Sequence, residues 1–167
     1  LTVLRKSPRL GLMKLLAKLK INQKYLTEDD VGFMITPRIN AASRMGIPMD
    51  AWKLLATTDE IEADMLSDHL NKINDERKGI VASMVKEVRK IISERETGAD
   101  SVEMKEVLVL GNPDWKPSLL GLVANSLKDD HDRPVFLGGR ESGEIIKGSC
   151  RSDGSVSVVE VMELTKD

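Results

Sequence analysis

Ten consecutive residues, Pro37-Arg38-Ile39-Asn40-Ala41-Ala42-Ser43-Arg44-Met45-Gly46, hold the side chains best suited to binding chemistry. Arg38 and Arg44 carry planar, permanently charged forks that match phosphate or carboxylate oxygens. Asn40 adds a polar amide between them, and Ala41, Ala42 and Ser43 allow close approach of another chain or a ligand. Two readings fit: an anion site, or arginines paired with acidic residues at a domain joint. Pro37 fixes its own φ and disfavours the α region at Thr36, so a helix is not expected to enter this stretch unbroken and the backbone should turn here.

A second candidate is Lys147-Gly148-Ser149-Cys150-Arg151-Ser152. The Ser149 hydroxyl, backbone N–H groups beside Gly148 and the Arg151 guanidinium could surround a phosphate oxygen. On residue types alone the same stretch is an ordinary strand end. Cys150 alternates with the two and is expected to face the core. The two histidines offer less. His69 lies on a polar helix beside Asp68, and Asp130-His131-Asp132 reads as a solvated turn between a helix and a strand.

The elements that must position these groups follow from patterning. Leu10, Leu12, Met13, Leu15, Leu16 and Leu19 give an amphipathic helix over 8–20, with Lys14, Lys18 and Lys20 on its polar side. Thr27 followed by Glu28, Asp29 and Asp30 marks a second helix start. Residues 50–55 form a short helix ending at Thr57-Thr58. Thr57 with Glu60, or Asp59 with Glu62, can then cap a helix whose apolar positions recur to about Ser93, more than thirty residues or roughly 50 Å. Arg77 interrupts its apolar stripe, Gly79 weakens it by about 1 kcal/mol relative to alanine, and it reads as a spacer. A helix end and linker are expected between Glu94 and Val102. Beyond it, Val107–Gly111 reads as a buried parallel-type strand, Ser118–Leu127 as a helix, Pro134–Gly138 as a second strand, and Gly143 leads into a third strand over Glu144–Arg151. Strand, helix and strand in that order imply a βαβ unit.

Composition bounds the rest. The 167 residues are 41% hydrophobic, enough for a core, with net charge −2. The charge is uneven: residues 1–53 carry ten Lys/Arg against four Asp/Glu, or +6, and the remainder is acidic. An anionic partner should therefore meet the first third. One cysteine excludes an internal disulfide, and no run suits a membrane span or a secretory signal, so a cytoplasmic setting is expected. A start at Leu1 and an apolar-patterned run over 156–164 suggest a piece of a longer protein, with self-association through that run as one expectation.

Residues Pro37–Arg44 resemble, at seven of eight positions, the Pro-Arg-Ile-Asn-Ala-Ala-Gly-Arg signature of RecJ-type single-stranded-DNA exonucleases of the DHH phosphoesterase superfamily; Ser43 replaces the glycine. Arg9-Leu10-Gly11-Leu12 resembles the segment leaving that family's catalytic domain. Leu70, Asn74 and Arg77 match the Leu-x-x-x-Asn-x-x-Arg pattern of its long linker helix. Trp115 to Ala124 is similar to an element of its DHH-associated domain, with Lys116 in place of histidine and Ser118 in place of glycine. Lys147–Ser152 is similar to Lys-Gly-Ser-x-Arg-Ser, which in the family helps hold a nucleic-acid phosphate. The family's Asp-His-His run has no counterpart here.

The resemblance implies an α/β fold with three parts: a helical joint over 1–57 following the catalytic domain, a long linker helix over 58–97, and a partial α/β DHH-associated domain over 104–167. It implies a nucleic-acid-binding fragment of a 5′-to-3′ single-stranded-DNA exonuclease, with Arg38, Asn40, Arg44, Ser149 and Arg151 contacting the strand. No residue here is assigned to catalysis or metal binding. Manganese or magnesium is implied only for the parent enzyme, and single-stranded DNA is the implied partner. The alternatives are a fragment of a DHH-family phosphodiesterase acting on oligonucleotides or cyclic dinucleotides, and a protein-interaction module.

Overall fold

The computed structural model describes residues 1–97, 107–140 and 144–165. The expected linker from Gly98 onward and Gly143 lie outside the described residues. The chain divides into two compact units, Leu1–Gly79 and Ile80–Asp167.

The first unit is helical because its apolar residues recur at helical spacing and have no second element type to pack against. Helices α1 (Thr2–Arg5), α2 (Leu10–Lys18), α3 (Thr36–Arg44) and α4 (Pro48–Ala56) surround the first part of a long helix, α5 (Glu60–Thr97). Leu15, Leu16, Leu26, Leu54 and Leu70 are its fully buried anchors, with Ala41 and Ala42 of α3 beside them. Each such leucine contributes roughly 1.5–3 kcal/mol of burial free energy. Ala41 and Ala42 thus serve helix packing, letting α3 lie close to its neighbours, while Ser43 is exposed.

Pro37 does not break the chain into a turn. The backbone is helical throughout 28–44, and Thr36 is in the α region at φ −55°, ψ −41°. A π-helical stretch over Asp30–Ile35 makes this possible. There the Thr36 N–H bonds to the Val31 carbonyl, five residues back. A wider turn displaces the carbonyl that an ordinary α-turn would press against the proline ring, and Pro37 stands where α3 begins, with no N–H to satisfy. The Thr27 start is a reciprocal cap: the Asp30 N–H donates to Thr27 Oγ1 at 3.1 Å, and Asp30 Oδ2 accepts from the Thr27 N–H at 2.9 Å and its hydroxyl at 2.8 Å. Helix α3 ends in a Schellman arrangement, with Gly46 at φ +90°, its N–H on Ser43 O and the Ile47 N–H on Ala42 O. Asp59 caps α5 by accepting from the Glu62 N–H at 2.8 Å, and the Thr57 hydroxyl bonds the Glu62 carboxylate.

The second unit has a three-stranded mixed sheet, order β1 (Leu108–Gly111), β2 (Val135–Arg140), β3 (Ile146–Arg151), with α6 (Pro117–His131) joining the first two and α7 (Val158–Leu164) following the third. β1 and β2 are parallel and β2 and β3 antiparallel. One sheet face packs Leu110, Val135 and Leu137 against Leu119, Leu120, Val123 and Leu127 of α6 and Met84, Val85, Val88 and Ile92 of α5. The register puts Val109, Phe136 and Cys150 on the other face, where Val109 is 66% exposed. β1 is therefore not buried on both faces, because the helices cover one face of the sheet only. For the same reason Cys150 points away from the packed face and is half-buried.

Candidate functional site

In the second unit, the pleat directs Ser149 and Arg151 to the same face as Leu137 and Val135, toward α6. Gly121 lies directly beneath them: a Cβ there would stand 2.9 Å from Arg151 Nη2 and 3.0 Å from Ser149 Oγ. Arg151 Nη1 donates to the Cys150 carbonyl at 2.6 Å and to Ser149 Oγ at 3.4 Å. A hydroxyl and a guanidinium side by side over glycine backbone can take two oxygens of one phosphate. The exit from β3 is fixed by a serine-rich turn. Ser152 Oγ donates to the Val156 carbonyl at 2.7 Å, and Asp153 accepts from the Ser155 hydroxyl at 2.6 Å. That hydroxyl, with the Ser155 N–H, holds the Asp153 carboxyl below its usual range.

Asp130 and His131 form the last turn of α6, and the exposed Asp132 begins the turn toward β2. Asp130 accepts from Arg89 Nε at 3.0 Å and Nη2 at 2.7 Å, and Asp132 takes the left-handed position at φ 48° that ends the helix. The outer sheet face carries a separate cavity of about 250 Å³ bordered by Gly111, Asn112, Gly138 and Ile146.

In the first unit, α3 presents Arg38, Asn40 and Arg44. Asn40 and Arg44 are four residues apart on one side of the helix, and Asn40 is exposed. Arg38 is half-buried; its Nε donates to Asn71 Oδ1 at 2.5 Å and its Nη1 to the Met34 carbonyl at 2.6 Å. Two of the guanidinium's five donors are thereby committed. Burial lowers its pKa and Asp75 opposes that shift; the group remains charged at neutral pH.

Helix α5 brings two further residues to this place. Arg77 is desolvated, and the positive charges of Arg44 and then Arg38 lower its pKa further, so the three guanidiniums share one electrostatic neighbourhood. Its Nε is buried without a hydrogen-bond partner. Asn74, one turn earlier, is completely buried, and neither its Nδ2 nor its Oδ1 has a partner. An unpaired buried polar group costs about 1–3 kcal/mol, so an apolar residue would stabilise this helix better. The sequence signal was the interrupted stripe itself, since positions 70, 73, 74 and 77 share one helical face. Reading α5 as a spacer assigned no role to Asn74 and Arg77. Gly121 was missed for a different reason: only the fold puts α6 under β3.

Among the described residues, no group of three or more His, Cys, Asp or Glu is arranged to hold a metal ion. His69 Nε2 lies 3.1 Å from Asp50 Oδ2 on the first unit's surface. No described helix is long and apolar enough to cross a membrane.

No family model matches the chain. It is 34% identical over 155 residues to the single-stranded-DNA-specific exonuclease RecJ of Haemophilus influenzae, covering 93% of this chain and 27% of that protein. To RecJ of Bacillus subtilis it is 32% identical over 165 residues, 98% of this chain and 20% of that protein. The backbone matches the crystal structure of Thermus thermophilus RecJ in complex with Mg2+ at a TM-score of 0.78 and 31% identity, covering 97% of this chain and 24% of that one. A structure of exonuclease RecJ bound to manganese matches at 0.75 and 29% identity. The chain thus spans about a quarter of the length of the curated relatives it matches. Sequence and backbone agree along nearly all of it, and the chain is similar throughout to one segment of the RecJ exonucleases.

Proposed function

We propose that this chain is the nucleic-acid-holding part of a RecJ-like 5′-to-3′ single-stranded-DNA exonuclease. In this reading Ser149 and Arg151 grip a 5′-phosphate, and Arg38, Asn40 and Arg44 contact the strand's backbone. The observation that carries it is the convergence of Ser149 Oγ and Arg151 Nη1, 3.4 Å apart, over Gly121. A terminal phosphate offers more anionic charge than an internal phosphodiester, and a charged fork beside a hydroxyl favours it accordingly. The uneven charge of the chain, with +6 on residues 1–53, suits an anionic strand at the first unit.

Hydrolysis is assigned to residues outside this chain. RecJ relatives have been solved with Mg2+ or Mn2+, and such ions would activate water and stabilise the leaving oxygen. The described donor set here does not fit that role, since neither histidine belongs to a cluster of metal ligands.

The test is binding of a 5′-phosphorylated single-stranded oligonucleotide against its unphosphorylated twin, at two salt concentrations, by the wild type and Arg151→Ala. Tighter binding of the phosphorylated strand that disappears with Arg151→Ala supports the reading. Equal binding of the two strands refutes the 5′-phosphate site. Metal-dependent nuclease activity from the pure chain would sink the assignment of hydrolysis elsewhere.

A further inference from the structure

We propose that Gly79 is a bending joint in α5, placed where the helix passes from one compact unit into the other. The joint stands on the geometry of α5 alone. Its use, which is to let the groups that each unit offers to one strand adjust separately, rests on the nucleic-acid reading above.

Three observations meet at this residue. Helix α5 is anchored at two places: Leu70 and Ile73 belong to the buried cluster of the first unit, and Met84, Val85, Val88 and Ile92 to that of the second. Between these anchors none of residues 75–83 is buried, so about two and a half turns run with no core behind them. The division between the units falls inside that stretch, directly after Gly79. Finally, nothing in the structure calls for a glycine there. A Cβ at Gly79 would meet nothing within 4 Å, and its φ is not one that favours glycine. By contrast, a Cβ on Gly11 would lie 1.6 Å from the Leu54 carbonyl oxygen and one on Gly121 3.0 Å from Ser149 Oγ, so close approach explains those two. Gly32, in surroundings as open as those of Gly79, lies in the π-helical stretch, which is itself irregular.

Glycine weakens a helix interior more than any residue but proline, because the open turn gains the most backbone freedom. It also removes the side chain that would pair with positions 75, 76, 82 and 83. The ion pairs beside it, Lys72 with Glu76 and Lys78 with Asp75, are exposed and hold little. In a packed stretch the surrounding core would override this weakness; between residues 75 and 83 no core does so. A helix held at both ends and weak in the middle yields in the middle, so bending concentrates in the turn whose hydrogen bonds span Gly79. Arg38, Asn40 and Arg44 precede the joint in the chain, and Ser149 and Arg151 follow it. A strand engaging both sets is then met by two groups of contacts that are not locked to one spacing.

The test places nitroxide labels through Lys72→Cys and Lys90→Cys, both exposed on α5, in a chain carrying Cys150→Ser. The distances between them are read by double electron–electron resonance. A straight helix sets the two positions about 27 Å apart. The wild-type sequence at 79 should give a broad distribution reaching to shorter distances, and Gly79→Ala should narrow it about the straight-helix value. Alanine fits this position without contact, so the variant keeps the fold. Amide hydrogen exchange gives a second reading: the amides of residues 80–83 should exchange faster than those of 66–69 in the same helix, and Gly79→Ala should slow them about fivefold. Equal widths with glycine and alanine, or amides at 80–83 as protected as those at 66–69, overturns the proposal. Narrowing of the wild-type distribution by a 5′-phosphorylated single-stranded oligonucleotide supports both the joint and its use. If the oligonucleotide leaves the width unchanged while Gly79→Ala still narrows it, the joint stands and the reading of one strand held by both units fails.

Discussion

Arg151 and Gly121 occupy adjoining space: a Cβ on Gly121 would stand 2.9 Å from Arg151 Nη2, closer than unstrained packing allows. The atom it meets is the far end of a flexible side chain, so the guanidinium can move aside without displacing backbone. Gly121→Ala should therefore leave the fold intact and stabilise α6 by about 0.5–1 kcal/mol, through alanine's better helix propensity. The same change pushes Arg151 and Ser149 off their shared position. The expected result is a higher denaturation midpoint with weaker binding of a 5′-phosphorylated oligonucleotide. Unchanged binding would show that Arg151 does not need its place over α6.

Gly11 presents the opposite case. A Cβ there would lie 1.6 Å from the Leu54 carbonyl oxygen, and that atom is backbone. Helices α2 and α4 touch along this line, so Gly11→Ala must separate them or unseat Leu54, which is completely buried. We expect a loss of about 2–3 kcal/mol, read by urea denaturation, with the slope of the transition preserved.

The reciprocal cap of Thr27 and Asp30 makes part of the stability pH-dependent. The Thr27 N–H, and then its hydroxyl, hold the Asp30 carboxyl below the usual carboxylate value. A folded-state value below the unfolded one means the contribution is complete above the unfolded pKa and is lost as pH falls through the folded one. Lys18 runs the other way: Asp68 and Asp64 raise its pKa, so its contribution is present below the unfolded value and lost as pH rises through the folded one. Asp30→Asn should lower the thermal midpoint at pH 7 and converge on the wild type in strong acid, where the wild-type carboxyl is protonated. A constant difference across that range would show that Asp30 is not the group responsible.

How far this was legible beforehand differed by element. The periodic stripes of α2 and α5 and the βαβ order were readable because apolar spacing is a local property. The continuity of 28–44 through Pro37 was not readable, because a π-turn depends on backbone hydrogen bonds that carry no residue signature. Cys150 was placed on the wrong face because its strand lies in a sheet covered on one side only, which is a tertiary fact. Ser149 and Arg151 could be paired from spacing two apart in a strand, whereas the ground beneath them, Gly121, comes from a helix some thirty residues earlier.

Gly46 separates conformational strain from crowding. Its φ is +90°, and a Cβ there would touch nothing within 4 Å. Any cost of substitution must then arise from the left-handed backbone itself, which closes α3 just after Arg44 through the Ser43 and Ala42 carbonyls. Gly46→Ala should lose about 1–2 kcal/mol, and Gly46→Asn distinctly less, since asparagine tolerates this region. The substitutions can be ranked by chemical denaturation, with oligonucleotide binding measured in parallel because Arg44 sits in the last turn that Gly46 terminates. Equal losses for alanine and asparagine would mean that the turn relaxes to a different conformation, and a matching loss of binding would place Arg44 under the control of that turn.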